Sequence, residues 1–367
     1  MKKKSIKWIA GILIGLVIVL LVAAWSIYYK RWATAQSIEK LTEYEDGYDL
    51  YKIEIKYDYS IQDVIDYGIK DNQSFIDAII AESLPYLPVH IKAPNFGCSA
   101  FTAQESDGTV RMGRNYDFKN DTSAMMVHCK PKDGYESIGF TALDNLQANQ
   151  PGESMKKKLA CITAPFICLD GMNEKGVSIA VLTLDSEPVF QSRGKEVIGT
   201  TLAIRLVLDN AATTEEAIEL LDGYDMFATS GRDYHFYITD ASGDGRVVEY
   251  DCEDENREMK VTKIDAITNF YGAYINQVEP NQKNGIYGHG RERYDSIVKV
   301  LDEAGNDQTE QTVWDALKAS SQDPNPNDVT SNTQWSIVYN NTEKTAKIAI
   351  RRKWNQVTEF DIWGKIK

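Results

Sequence analysis

The sequence predicts an α+β body preceded by one transmembrane helix, and three observations predict it. An uncharged, mostly apolar run occupies 8–29, long enough to cross a bilayer, which takes about 20 such residues. Beyond Pro94 the chain turns to short runs rich in strand formers, separated by turn signals. Helical periodicity returns only in isolated stretches, so strands, then helices, then strands again describe helices packed on sheets.

The apolar run is framed by Lys2, Lys3, Lys4 and Lys7 on one side and by Lys30 and Arg31 on the other. That asymmetry predicts an N-terminus inside the cytoplasmic membrane and a body outside it. A cleaved signal peptide is the alternative, because Ala33, Thr34 and Ala35 have the small-residue pattern that signal peptidase reads. Signal h-regions usually run about 7 to 15 residues, which favours a retained single-pass anchor. Either reading exports the body. The chain divides accordingly into an anchor over 1–35, an extracytoplasmic proregion over 36–97 and a body over 98–367.

At 367 residues with 43% hydrophobic content, the chain can bury a sizeable core. Its formal net charge of -14 argues against a nucleic-acid partner, which needs a basic surface to displace counterions. Five cysteines, Cys98, Cys129, Cys161, Cys168 and Cys252, are too few for a disulfide scaffold, and the odd count leaves a free thiol. Cys161 and Cys168 lie in an apolar stretch and read as core residues, with a spacing that matches no zinc pattern.

Within the proregion, YKIEIKYDY from residue 51 alternates as a half-buried strand does. One helix is predicted over 61–84, with Val64, Ile65, Ile69, Phe75, Ile76, Ile79 and Ile80 on a broken stripe and Pro85 and Pro88 ending it. CSAFTAQE and TVRMGRNYDF flank Ser106, Asp107 and Gly108, a hairpin signal. ACITAPFICLDG and GVSIAVLTL, separated by MNEK, read as a strand pair. Helices follow over 200–211 and 214–221, the second opened by a capping box from Thr213 to Glu216. HFYITD, RVVEYD, MKVTKID and AITNF are strands, 294–303 and 311–320 helices, and TQWSIVYN and KTAKIAIRR a last hairpin. Asp240, Ser242 and Asp244 have EF-hand spacing, but strands flank them and a glycine-rich turn is the reading.

The chemistry centres on Cys98. Gly97 before it has no side chain, so its carbonyl is open to the Cys98 sulfur and its peptide can take strained dihedrals. Cleavage there by an N-to-S acyl shift would give Cys98 a free α-amine, whose ordinary pKa is about 7.7 to 8.0. The thiol would then carry its own base and need no histidine. This suits a chain with only His90, His128, His235 and His289, none in a segment resembling a cysteine-protease signature. Folding the hairpin about Asp107 sets Cys98 opposite roughly Tyr116, with Arg114 diagonal to it on the same face and Asp117 just beyond. A guanidinium there would favour a thiolate, and a carboxylate would hold the α-amine.

Taken in order, GCSAF, GRNYDF, DGMNEKGVSIAVL, HFYITDASGDGRVVEY with ITNF, GRERY and TQWSIVY resemble the linear amide C-N hydrolases, the choloylglycine hydrolase family. Penicillin V acylase, acid ceramidase and the isopenicillin acyltransferases are relatives. The matches cover about residues 95–352. The resemblance implies a four-layer αββα sandwich of the N-terminal-nucleophile (Ntn) hydrolase type, with Cys98 as nucleophile and Arg114 and Asp117 beside it. It implies Asn269 as an oxyanion donor and Arg293 as the arginine of GRERY, Arg291 being the fallback. Where bile-salt hydrolases place an asparagine, this chain has Thr183, whose hydroxyl is a weaker donor for the second oxyanion contact at the substrate. The long proregion looks more like the acyltransferase and acid-ceramidase branches, where self-cleavage leaves two associated chains.

The expected reaction is hydrolysis of a linear amide through a thioester, with no metal or organic cofactor. The substrate is a small-molecule amide, and membrane attachment suggests an amphiphilic one. Phe118, Phe190, Tyr271 and Tyr274 are candidates for an apolar acyl pocket. An acyltransferase, a histidine-dependent cysteine peptidase and a non-catalytic membrane-anchored binding protein are the other readings.

Overall fold

The computed structural model describes residues 2–87, 91, 97–283 and 285–367. Pro88, His90, Pro94, Asn95 and Phe96 lie outside the described residues. One helix, α1 (Lys2–Gln36), contains the apolar run and is long and apolar enough to cross a membrane. Its last turns dock on the body. Arg31 donates to Ser83 O at 2.7 Å and to Glu82 O at 2.8 Å, and Thr34 and Ala35 are buried.

Two short strands follow, β1 (Glu39–Lys40) and β2 (Leu50–Glu54), the second overlapping the first part of the predicted alternating run. The single helix expected over 61–84 is instead two, α2 (Ile61–Asp66) and α3 (Asn72–Ser83). Gly68 takes a left-handed φ of +89°, which ends the first. Asp71 caps the second, accepting from Ser74 N at 2.7 Å while Ser74 Oγ accepts from Asp71 N at 2.9 Å. A reciprocal box of this kind satisfies two orphan donors and starts a new helix inside an apolar pattern that looked continuous.

The predicted hairpin forms as β3 (Gly97–Gln104) and β4 (Val110–Asp117), with Cys98 opposite Tyr116. Next come β5 (Ala124–Cys129), β6 (Ser137–Ala142) and α4 (Met155–Ala160). The segment read as a strand from Ala160 is a 3-10 turn over Cys161–Ile167. Pro165 within it has no N–H for a ladder, and the strand, β7 (Asp170–Asn173), starts only at the motif's aspartate.

β8 (Ser178–Leu184), β9 (Val197–Gly199), α5 (Thr200–Asn210), α6 (Thr214–Asp222) and β10 (Asp225–Phe227) continue the chain. Thr213 caps α6 as predicted, but the Glu216 carboxylate reaches Ala212 N at 2.7 Å rather than the cap residue. Then come β11 (Asp233–Thr239), β12 (Arg246–Tyr250), β13 (Met259–Lys263) and β14 (Ala266–Ile267). The stretch with EF-hand spacing is the turn between β11 and β12, which pair antiparallel. The chain ends with α7 (Arg291–Ala304), α8 (Glu310–Ser320), β15 (Thr333–Asn340), β16 (Thr345–Ile350) and β17 (Val357–Asp361), the last unforeseen.

Among the described residues the strands form two large sheets. One has nine strands in the order β1-β2-β5-β6-β7-β8-β11-β12-β13, the other six in the order β14-β3-β4-β15-β16-β17. β2 enters the first sheet parallel to β5, so the segment before Cys98 supplies part of the sheet on which the body is built. β3 packs on β8, α5 on β7 and β8, and α7 and α8 on β3 and β4. The alternation along β3 follows this arrangement. Cys98 and Ala100 join the core shared with Ile179 and Val181 of the other sheet, whereas Phe101 and Ala103 pack with Ile297, Val313 and Leu317 of the helices. Period-two side chains thus point the cysteine between the sheets.

Candidate active site

The second residue of β3 is fully buried, and its neighbours are charged. Burial pushes the Cys98 thiol up to about 11, while the Arg114 guanidinium and the Asp117 amide pull it back. Arg114 stands opposite Ala100 on the same face as Cys98. It donates through Nε to Asp170 Oδ2 at 2.5 Å and through Nη2 to Val181 O at 3.1 Å. Asp170 is held in turn by Tyr339 Oη at 2.5 Å and Trp335 Nε1 at 3.3 Å, and Trp335 stacks on Tyr116 at 4.1 Å. Burial raises the Asp170 carboxyl, opposed by Arg114.

Arg114 and Asp117, both in the GRNYD motif, do not pair with each other. Three positions apart on a strand, their side chains leave opposite faces. Asp117 instead faces Arg293 Nη1 at 3.4 Å, Thr333 Oγ1 at 2.6 Å and Gln322 Nε2 at 3.3 Å. Burial raises its carboxyl, and Arg293 opposes the rise.

Arg293, in the first turn of α7, ties the group together. Its Nη1 donates to Cys98 O at 3.2 Å and its Nη2 to Asn269 Oδ1 at 2.6 Å. Asn269 Oδ1 also accepts from Cys98 N at 3.3 Å, and Asn269 Nδ2 donates to Thr183 O at 2.8 Å. In this uncleaved chain, then, the asparagine amide is engaged on both sides. Among the described residues the Thr183 hydroxyl reaches Leu184 O and Asp233 O, at 3.5 and 3.4 Å, whereas the backbone O of Thr183 joins the site through Asn269. Arg291, the fallback, pairs with Asp295 at 2.8 Å on the exposed side of the same helix.

Cys98, Arg114, Asp117, Asn269 and Arg293 are therefore one cluster, with Thr183 at its edge. Asp170, Gln322 and Thr333 were missed by the sequence reading, although Asp170 opens DGMNEKG and Thr333 opens TQWSIVY; Gln322 sits in no motif. Of the four aromatic candidates, Tyr271 and Tyr274 meet edge to face at 6.0 Å. Phe118 and Tyr271 are buried, and Phe190 is exposed against Phe227. Tyr271 donates to Asp233 at 2.5 Å, and Tyr274 to Asp251 at 2.5 Å. A cavity of about 810 Å³ lies elsewhere, lined by Thr102, Lys263, Tyr294 and Leu301. Among the described histidines, His128 faces Glu136 and His235 faces Thr268 O, while His289 bonds Asp185 and Thr330.

Solved structures share this fold. Penicillin V acylase from Agrobacterium tumefaciens aligns with a TM-score of 0.51 at 18% identity, covering 72% of this chain and 86% of its own. A variant of conjugated bile acid hydrolase from Clostridium perfringens aligns at 0.54 and 18%, covering 74% and 96%. A second mutant of that hydrolase aligns at 0.53 and 17%, covering 74% and 95%. At these identities the likeness is one of fold. No curated protein sequence matches the chain. A family model does match: residues 98–271, beginning at Cys98 itself, match the linear amide C-N hydrolases, choloylglycine hydrolase family.

Proposed function

We propose that this amide C-N hydrolase works through the thiol of Cys98, freed as an N-terminal residue by cleavage of the Gly97-Cys98 bond. The observation that carries the reading is the convergence on Cys98. Its sulfur meets Arg114, its N–H donates to Asn269, and its carbonyl accepts from Arg293, which also faces Asp117. The start of the family match at Cys98 supports the same boundary. In the first step the sulfur bonds to the Gly97 carbonyl carbon, the C–N bond breaks, and the thiol proton ends on the Cys98 nitrogen. Water then adds its hydroxyl to that carbon and returns a proton to sulfur.

In the mature site the α-amine takes the thiol proton, and Cys98 attacks a linear amide to form a thioester. Arg114 steadies the thiolate and Asp117 with Arg293 orients the amine. Asn269, once its amide is released from Thr183 O, donates to the oxyanion, a contact worth roughly 3 to 4 kcal/mol. The ammonium protonates the leaving amine, and water hydrolyses the thioester. The chemistry needs no metal or organic cofactor.

The packing of α5 on one sheet and of α7 and α8 on the other supports the αββα layering. The parallel pairing of β2 with β5 supports a proregion that stays attached after cleavage. The burial of Thr34 and Ala35 supports a retained anchor, and the lysines at 2, 3, 4 and 7 support a catalytic domain outside the cytoplasmic membrane. Such an enzyme would meet amphiphilic amides, and bile-acid conjugates, penicillin V, N-acyl amino acids, acyl homoserine lactones and lipid amides all suit the resemblance.

The test is turnover of a panel of linear amides by wild type and Cys98→Ser, with products analysed with and without an added amine. Free acid as the sole acyl product, lost in the variant, supports the reading. Transfer to the added amine makes the chain an acyltransferase, and full activity in the variant refutes the nucleophile.

A further inference from the structure

Thr183 and Asn269 meet at the site, and the chain just beyond each of them meets again at His289. The His289 backbone N–H donates to Asn269 O at 2.9 Å. Its ring spans two further segments. Nδ1 lies 2.6 Å from Asp185 Oδ2, two residues past Thr183, and Nε2 lies 3.0 Å from Thr330 Oγ1.

Thr330 is pressed against the bond that the proposed reaction breaks. A Cβ built on Gly97 would stand 2.3 Å from Thr330 Cβ and 2.6 Å from its Cα. No side chain fits there, so Gly97 permits the threonine to lie on the backbone. Thr330 O accepts from Gln322 Nε2 at 2.5 Å, the same nitrogen that donates to Asp117 at 3.3 Å. Thr330 Oγ1 donates to Asp328 Oδ1 at 2.8 Å. These contacts pin the irregular stretch between α8 and β15, a connection that would otherwise be among the more mobile parts of a fold.

The hydroxyl suits this place. Its single proton goes to Asp328, so Thr330 Oγ1 accepts from His289 Nε2–H, while Nδ1 faces the Asp185 carboxylate. Asp185, His289, Thr330 and Asp328 therefore form one continuous line of hydrogen bonds. Neither Arg114 nor Asn269 is part of it.

We propose that His289, fixed by Asp185, is a positioning residue for cleavage of the Gly97-Cys98 bond, acting through the Thr330 hydroxyl to hold Gly97 in place. The inference rests on the self-cleavage reading above and adds a residue to it. The sulfur must reach the Gly97 carbonyl carbon in a near-attack geometry, and misplacement by about 1 Å costs on the order of a hundredfold in rate. His289 takes no proton from the thiol and touches neither reacting atom.

The test follows the appearance, by intact mass, of the fragment beginning at Cys98 in the full chain in detergent. Wild type is compared with His289→Ala, Thr330→Val, Thr330→Ser and the His289→Ala/Thr330→Val double variant. Valine keeps the packing on Gly97 and removes the hydrogen bond; serine keeps the hydrogen bond. The expected result is slowing by roughly ten- to a hundredfold in His289→Ala and Thr330→Val, and serine within about threefold of wild type. The double variant is expected to be no slower than His289→Ala, because residues acting in one line are not additive. Wild-type cleavage in Thr330→Val, or additive losses in the double variant, would overturn the inference while leaving self-cleavage intact. If His289→Ala loses its melting transition, the valine and serine variants decide. Wild type that never cleaves refutes the self-cleavage reading itself, and this inference with it.

Discussion

Arg293 Nη2 lies 2.6 Å from Asn269 Oδ1, and that contact joins α7 to the strand end beyond β14. The same guanidinium reaches Cys98 O and Asp117 Oδ2, so one planar fork serves three acceptors. A lysine would keep the charge and lose the fork. Arg293→Lys is expected to lower amide turnover by about a hundredfold, equivalent to about 3 kcal/mol, whereas Arg291→Lys stays within about twofold because Arg291 bonds Asp295 and Ile275 O and none of the cluster. Steady-state kinetics on one hydrolysed amide checks both, and equal losses would reject the assignment of Arg293.

The buried pair behind the sulfur makes a separate claim about stability. Asp170 and Arg114 are both fully buried, and Asp170 has two further donors in Tyr339 and Trp335. Asp170→Asn leaves the guanidinium without its counter-charge, at a cost of about 3 to 5 kcal/mol. Urea denaturation of the variant beside wild type should show a lower midpoint at an unchanged slope. A midpoint equal to wild type would mean that Arg114 finds compensation elsewhere.

Burial sets a pH dependence for the uncleaved chain. The Cys98 thiol is pushed up to about 11, against about 8.5 for a free cysteine. A thiol with a raised pKa holds less thiolate at every pH below that value. Between pH 7 and 10 the reactive form should therefore climb about tenfold per unit without reaching a plateau. Iodoacetamide labelling of chain isolated before cleavage, read by peptide mass, should show this rise at Cys98. Cys252, half-buried, should label first. A plateau for Cys98 by pH 8 would show a thiolate already formed in the precursor.

The docking of α1 predicts its fate. Thr34 and Ala35 are buried, Thr34 Oγ1 accepts from Lys56 N at 2.9 Å, and Arg31 is anchored on α3. Peptidase cleavage after Ala35 would have to open this contact. The protein is expected to stay in the membrane fraction through alkaline carbonate extraction, and Arg31→Ala to leave that unchanged while lowering the melting temperature by a few degrees. A soluble form starting near residue 36 would contradict it.

Much of this was legible in the sequence because it was local or periodic. The β3–β4 register followed from a three-residue turn signal, and it set Cys98 opposite Tyr116 as the structure has it. Cys98, Asp117, Asn269 and Arg293 come from three distant stretches, and their order along the chain, through the family resemblance, brought them together. The partners of these side chains were not legible. Arg114 and Asp117 sit in one short motif, yet strand parity sends them to Asp170 and Arg293. The break between α2 and α3 was hidden by an apolar stripe that runs through it, and the 3-10 turn at Pro165 by residues that suit a strand equally well. His289 gave no signal, since its role depends on Asp185 and Thr330, 104 and 41 residues away.

The most direct test of the account is the intact mass and N-terminal sequence of the purified protein, wild type beside Cys98→Ala. The account predicts a fragment beginning at Cys98 in wild type, held with the fragment that precedes it, and a single uncleaved chain in the variant. A wild-type chain that remains whole and hydrolyses amides at full rate would contradict it.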